Sequence, residues 1–367
     1  MYSALRKNII TLSGPPASGK STIKKLLSQE LGYDSYSTGD LVEKLARENG
    51  QNKEDFYRQN AGGKLDQDLD AYQQNLGKQR DRFVLDSRLG FYFVPQSFKV
   101  FLPCELQEAA QRAHHSRKEN PNYATIELSR QTIREREMIE KENYARIYGI
   151  PDFHLPFHFD LKVDTTGKKP EEIAELILKE YRRYEKVTQE IELICWGLKM
   201  VVANTFTYYS GPITGSKTLY GAMKEHGVRR KEDLPKSVFD MIRQENVQRS
   251  KILEDEVRRR ESSALLPGKL GSADIWSQRD YVDLSKEAIR LKATEMVFED
   301  GWQYSNGCVE ELLLGLQLKK PLFDQQDNPF GKVRAVELLT ATVEEIHQLP
   351  AECPKLDFLL EQLKRAE

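Results

Sequence analysis

The sequence predicts an α/β fold in two domains, a parallel sheet with helices on both faces followed by a smaller Rossmann-like domain. Three observations carry this expectation. Short apolar runs alternate with stretches of helical period along the first half, and alternating β and α elements imply a parallel sheet covered on both faces. The same alternation restarts near residue 204. The chain's 367 residues are enough for about two domains.

The elements follow in order. Residues 8–12 form an apolar strand that runs into Gly14. Residues 22–31 place Ile23, Leu26, Leu27 and Leu31 on one helical face, and Gly32 is the stop. Residues 33–37, 82–86, 98–102 and 159–163 read as further strands, with helices between them. Pro170 opens a helix to about residue 185. Residues 186–203 lose clear register and read as a helical connector. In the second half, residues 206–209 read as a strand and about 236–262 as a long charged helix. Residues 295–299 are a strand, 309–318 a helix and 320–323 a short strand. The tail after Pro329 holds one or two helices. The expected divisions are a first domain over 1–185, a connector over 186–203, a second domain over 204–325 and a helical tail over 326–367.

Composition narrows the class of function. The chain has 55 basic and 57 acidic side chains, a net charge of -2. That balance gives no overall pull toward nucleic acid or an anionic membrane. No apolar run approaches the length of a membrane span, and the first eight residues turn polar too soon for a secretory signal. Cys104, Cys195, Cys308 and Cys353 lie far apart, without metal-ligand spacing or the density of a disulfide framework. His114 and His115 are adjacent and point to different helix faces, which makes them a poor metal pair. The expectation is a soluble, reduced, cytoplasmic protein acting on small molecules.

The strongest motif is Gly14-Pro-Pro-Ala-Ser-Gly-Lys20-Ser21, a phosphate-binding loop between a strand and an amphipathic helix. Its glycines let successive N–H groups face phosphate oxygens, and the helix that follows adds its dipole. Gly14, Ala17, Ser18, Gly19, Lys20, Ser21 and Thr22 are therefore the expected ATP-binding residues. Lys20 supplies charge to the β- and γ-phosphates, and Ser21 a hydroxyl for Mg²⁺.

A loop of this kind indicates a nucleotide and not a reaction. Residues 6–182 go further, for they resemble the nucleoside monophosphate kinases, most closely the archaeal-type cytidylate kinases. The resemblance runs through the loop, Ser37-Thr-Gly-Asp40, Leu85-Asp-Ser-Arg-Leu89, Arg134-Glu-Arg-Glu137, Tyr144-Ala-Arg-Ile-Tyr-Gly-Ile150 and Val163-Asp-Thr165. It implies that Thr38, Gly39 and Asp40 line the acceptor-nucleotide pocket and that Arg88 holds the acceptor phosphate. It also implies that Arg134 and Arg136 come from a lid, with Arg112 and Arg117 at its base. Asp86 stands where the family usually has glutamate, and remains a candidate for holding Mg²⁺ through water. Read without the resemblance, Arg134 and Arg136 are a solvated face of a charge-dense helix.

A second pattern lies in the other half. Residues 204–325 resemble the nucleoside 2-deoxyribosyltransferase-like family, including its nucleotide N-glycosidase branch. Tyr208-Tyr-Ser-Gly-Pro-Ile-Thr-Gly215, Asp283-Leu284, and Gly301, Trp302, Ser305, Gly307 and Glu311 carry it. The resemblance makes Glu311 the nucleophile at the sugar C1′ and Asp283 a second acid for the leaving base. Counting from Gly307 selects Glu311 over Glu310, which points about 100° away on a helix. Tyr208 or Tyr209 would position Glu311. Gly211, Pro212, Ile213, Gly215, Trp302, Ser305 and Gly307 complete the expected nucleotide contacts. The resemblance further implies that serine at 305 favours a nucleoside 5′-monophosphate over a free nucleoside. Members of this family often assemble their sites across subunits, so a homo-oligomer through the second domain is expected. The combined reading is a bifunctional nucleotide-metabolism enzyme that needs ATP and Mg²⁺. The alternatives are a kinase with a non-catalytic nucleotide-sensing domain, or a nucleotide-dependent switch.

Overall fold

Five parallel strands in the order β2-β3-β1-β4-β5 make the first sheet of the computed structural model, which describes residues 6–60, 63–117, 119–201, 205–260, 264–265 and 275–366. The chain divides into two units, Met1–Thr188 and Gln189–Glu367.

The first unit runs β1 (Ile9–Ser13), α1 (Lys20–Leu31), β2 (Asp34–Ser37), α2 (Thr38–Glu48), α3 (Lys53–Asn60), α4 (Lys64–Gln79) and β3 (Phe83–Asp86). It continues through α5 (Gly90–Phe93), β4 (Phe98–Phe101), α6 (Leu106–Arg117), α7 (Ile126–Tyr148), β5 (Leu161–Lys162) and the first part of α8 (Pro170–Val201), a helix that runs on past Thr188 into the second unit. Period-2 alternation sends successive residues of β1 to opposite faces. Ile10 and Leu12 pack with Ile23 and Leu27 of α1 and Ile173, Ile177 and Tyr181 of α8. Ile9 joins Leu76, Phe83, Leu85 and Val94 on the other face. Helix α8 continues through residues 186–201 without a break, so the stretch expected as a connector extends the helix before it. Residues 202 and 203 lie outside the described residues.

The second unit holds β6 (Phe206–Ser210), α9 (Lys217–Glu225), α10 (Lys236–Arg260), β7 (Ala264–Leu265), α11 (Gln278–Lys292) and β8 (Ala293–Phe298). After them come α12 (Asn306–Gln317), β9 (Leu322–Asp324), α13 (Lys332–His347) and α14 (Pro354–Arg365). Its strands are parallel in the order β7-β6-β8-β9. Strand β7 was not foreseen; two residues are too few for a periodic signal. The tail is two helices. α14 buries Leu356, Leu359, Leu360 and Leu363 at helical spacing, and Lys355 Nζ reaches Glu310 of α12 at 2.5 Å. Residues 261 and 262 of the expected long helix lie outside the described residues. Among the described residues, no helix is long and apolar enough to cross a membrane.

Candidate functional sites

In the first unit the chain leaves β1 toward β2 on one side and leaves β3 toward β4 on the other. The carboxyl ends of β1 and β3 therefore border the crevice at which open α/β sheets place their ligands. The phosphate loop opens directly from β1. Gly14 has φ +149°, and a Cβ there would collide with the Leu102 carbonyl, so only glycine fits. Gly19 caps α1 in the left-handed region at φ 92°. Lys20 Nζ donates to the Gly14 carbonyl at 2.9 Å and the Pro15 carbonyl at 2.6 Å. Burial, and then the nearby Arg88 guanidinium, pull its pKa down to about 7. Ser21 Oγ donates to Asp86 Oδ2 at 2.9 Å. A hydroxyl and a carboxylate side by side are the oxygen donors a hard divalent cation takes, so this pair fits Mg²⁺.

A cleft opens beside the loop and is lined by Thr38, Gly39, Arg88, Arg136 and Glu140, among others. Arg88 Nε pairs with Glu140 Oε2 at 3.1 Å, and its Nη1 donates to the Gly14 carbonyl. Arg136 Nε donates to Glu140 Oε1 at 2.9 Å, with its guanidinium over the Tyr57 ring. Burial alone would raise the Glu140 carboxyl, but Arg88 and Arg136 hold it below its usual range. Glu140 thus fixes both arginines at the crevice mouth. The sequence reading passed over it, although Arg136 and Glu140 stand at i and i+4. Glu140→Gln leaves two nearly buried guanidinium groups without their countercharge. The expected cost is about 3 kcal/mol of folding stability, read as a lower urea midpoint.

The other predicted residues of this unit fall in different places. Thr38 and Gly39 line the cleft at the start of α2. The Asp40 carboxylate turns outward to Lys24 Nζ at 3.1 Å, and its side chain is 69% exposed. Arg134 is exposed, two residues and some 200° around α7 from Arg136. Arg112 donates to the Thr165 carbonyl at 2.8 Å and stands beside Gly19 of the loop. Arg117 pairs with Glu54 at 3.6 Å. Lys53, unremarked in the sequence, brings its Nζ beside Gly39. Burial, then Arg136 and Arg117, lower its pKa to about 8.

In the second unit, β6 alternates its side chains. Tyr208 and Ser210 share one face, and both reach Glu311. Tyr208 OH donates to Oε1 at 2.8 Å and Ser210 Oγ to Oε2 at 2.6 Å. Tyr209, one residue out of phase, projects to the opposite face, so Tyr208 is the tyrosine that positions Glu311. Ser210 was not singled out from the sequence; the period-2 step from Tyr208 was the signal for it. Burial raises the Glu311 pKa to about 7, and the two hydroxyl bonds only partly offset this. Glu310 lies between Lys286 and Lys355 instead, which hold it well below the usual range against its burial.

Ser305 caps α12 and is buried. Gly215 packs against it, since a Cβ there would stand 2.6 Å from the Tyr304 carbonyl oxygen and 3.1 Å from Ser305 Cα. This close approach brings the loop holding Pro212 and Ile213 to the head of α12. Gly211 lies against the Glu299 carboxylate, which a Cβ there would have to push aside. Gly307 lies against Val282 of α11. Trp302 is buried and stacks with Phe330 at 6.1 Å between centroids. Asp283 sits on α11 near Glu287, whose pKa is raised by burial first and to a smaller degree by Asp283, and the Glu311 oxygens are bonded to Tyr208 and Ser210.

Known proteins bear on the first unit. Residues 10–141 match a family model described as AAA domain. The chain is 30% identical over 171 residues to the cytidylate kinase of Methanobrevibacter smithii, an alignment covering 46% of this chain and 96% of that protein. It is 32% identical over 190 residues to the cytidylate kinase of Thermoplasma volcanium, covering 50% of this chain and 97% of that protein. It is also 29% identical over 185 residues to an S-adenosylmethionine-dependent nucleotide dehydratase of Lacinutrix mariniflava, covering 50% of this chain but 38% of that protein. With its phosphate loop, its paired arginines at the crevice and these relatives together, the chain belongs through its N-terminal region to the cytidylate kinase family.

Proposed function

We propose that the protein is a bifunctional nucleotide-metabolism enzyme. Its first unit transfers the γ-phosphoryl group of ATP to a pyrimidine nucleoside monophosphate such as CMP or dCMP. Its second breaks, or exchanges, the N-glycosidic bond of a nucleoside 5′-monophosphate through Glu311. The observation that carries the second activity is a buried carboxylate held by Tyr208 and Ser210 beside a glycine-confined loop.

For the kinase, phosphoryl transfer asks for placed positive charge more than for covalent chemistry. Lys20 and the loop N–H groups take the donor phosphates, while Arg88 and Arg136 meet the acceptor phosphate across the cleft. Ser21 and Asp86 are the residues that would hold Mg²⁺, which when bound neutralises charge on the phosphates. An anionic phosphate beside Lys20 favours its charged form and reverses the pKa lowering. Arg134, exposed on α7, is proposed to join from the lid side.

For the second unit, the Glu311 carboxylate attacks C1′ as the C1′–N bond breaks, giving a glycosyl ester. The base leaves with the bonding pair and is protonated on nitrogen, with Asp283 the acid proposed by family resemblance. Water or another base then takes the sugar and releases Glu311. Ser305 and the α12 N-terminus suit the 5′-phosphate.

Attack requires ionised Glu311. Base release is therefore expected to rise with pH along an acid limb near pH 7 in kcat/KM, then level off. A limb near pH 4.5, or none, tells against Glu311 as the nucleophile. Incubation with ribo- and deoxyribonucleoside monophosphates, without ATP and with free base followed by chromatography, is the direct test. No base from any of them overturns the glycosidase half of the proposal, leaving the kinase half on its own residues.

A further inference from the structure

The tail of the second unit brings three metal-ligating side chains together. His347 is the last residue of α13, Cys353 caps the N-terminus of α14, and Asp357 follows in the first turn of that helix. Their donor atoms all lie within 4.8 Å of one another. Asp357 already bridges the other two. Its Oδ1 stands 3.0 Å from His347 Nε2, and its Oδ2 accepts from Cys353 Sγ at 3.8 Å. Two donors bound to one tetrahedral zinc at roughly 2.0–2.3 Å stand about 3.3–3.8 Å apart. Both separations are therefore a small side-chain adjustment away from sharing an ion. The backbone around the three is held in place. The Glu352 N–H donates to the Arg229 carbonyl at 2.8 Å, and the Asp357 N–H to the Cys353 carbonyl at 3.0 Å. Cys353 is buried, Asp357 half-buried and His347 exposed, so the cluster has a closed inner side and one side open to water.

We propose that His347, Cys353 and Asp357 hold a zinc ion, with water in the fourth position. A thiolate, an imidazole and a carboxylate suit zinc, whereas Mg²⁺ and Ca²⁺ take oxygen donors. Coordination displaces the thiol proton to solvent, and the neutral imidazole gives the lone pair of one ring nitrogen. Bonds to one ion then replace the Asp357 bridge. The ion's task is structural. It ties the end of α13 to the start of α14 across the turn at 348–352. Lys355, whose Nζ reaches Glu310 of α12 at 2.5 Å, stands between two of the ligands. Fixing the turn thus fixes the tail against the helix that carries Glu311. The site stands apart from both proposed activities and does not depend on them. Sequence spacing concealed it, because a single His-x5-Cys-x3-Asp matches none of the paired-cysteine patterns of zinc sites.

The test uses the full-length protein without an affinity tag, stripped with a chelator and reloaded with zinc or cobalt in the absence of nucleotide. A single zinc per chain should remain after dialysis, by elemental analysis. Cobalt should give the near-ultraviolet charge-transfer band of a thiolate ligand and the intense visible bands of a tetrahedral site. Cys353→Ser should abolish the thiolate band. His347→Ala and Asp357→Asn should each weaken zinc binding at least about 10-fold, the smallest effect expected for a ligand when its supporting partners already cost that much. Zinc should slow hydrogen exchange at residues 348–357 in the unaltered protein and not in Cys353→Ser. Serine caps a helix well, so that variant is expected to fold. Should it not, Asp357→Asn, nearly isosteric and half-buried, decides the question through its zinc affinity. The proposal is overturned if no zinc stays with the chain or if the thiolate band survives Cys353→Ser. It is equally overturned if His347→Ala and Asp357→Asn bind zinc as the unaltered protein does.

Discussion

Glu311→Gln is expected to abolish release of free base from nucleoside monophosphates, by about 10⁴-fold or more, while phosphorylation by the first unit continues unchanged. The size follows from the role. A glutamine amide cannot form the glycosyl ester, and losing a nucleophile costs more than losing a positioning group. The same substitution changes stability in a direction that checks the electrostatics. The folded pKa of Glu311 is near 7 and its ordinary value 4.5. The folded state therefore binds the proton more tightly, and this group makes the protein less stable as pH rises from 4.5 to 7. Above that window the cost is on the order of 3 kcal/mol. Glu311→Gln should consequently be more stable than the unaltered protein at pH 8 and close to it at pH 4.5, by thermal or urea denaturation. A variant that binds nucleotide and alters the kinase as the unaltered protein does, where neither ever released base, identifies a sensor. A variant that merely fails to fold shows lower stability at both pH values.

Lys20→Ala is expected to lower phosphoryl transfer to CMP by about 10³-fold, with base release unaffected. Lys20 is bonded to the consecutive carbonyls of Gly14 and Pro15 at the start of the phosphate loop. Its removal takes away the one charge that the loop itself aims at the transferring group. Arg88 and Arg136 remain in place because Glu140, not Lys20, holds them. Binding of CMP should therefore survive within a few fold while kcat collapses. Equal loss of CMP binding and turnover would mean that Lys20 supports the cleft itself.

Much of this protein was legible in its residues before any packing was known. The first-unit strands lie close to the expected segments, for an apolar run ending at a glycine and followed by a helical stripe is a local pattern. The phosphate loop was legible for the same reason: Gly14, Gly19, Lys20 and Ser21 fall in one short stretch of chain, although Ser21 meets Asp86 and Gly14 meets Leu102 only in the fold. Glu311 over Glu310 came from the family pattern counted from Gly307, with helix spacing turning the two apart, and the structure gives the two carboxylates opposite surroundings.

What needed the tertiary structure was every case in which separate elements converge. Tyr208 and Tyr209 are equivalent in composition, and only the place of β6 beside β8 under α12 sets Tyr208 and Ser210 on Glu311. Glu140 looks like one more acid on a charged helix until α7 crosses the end of β3 and finds Arg88. Asp40 turns away to Lys24, and Asp66 and Asp70 turn inward, by the rotation of α2 and α4 about their axes. Sequence determined the local periodicities, the phosphate loop and the candidate carboxylate, because a few neighbouring residues encode each. Sheet order and helix packing decided which side chains meet, because a contact between residues a hundred positions apart depends on every element that lies between them.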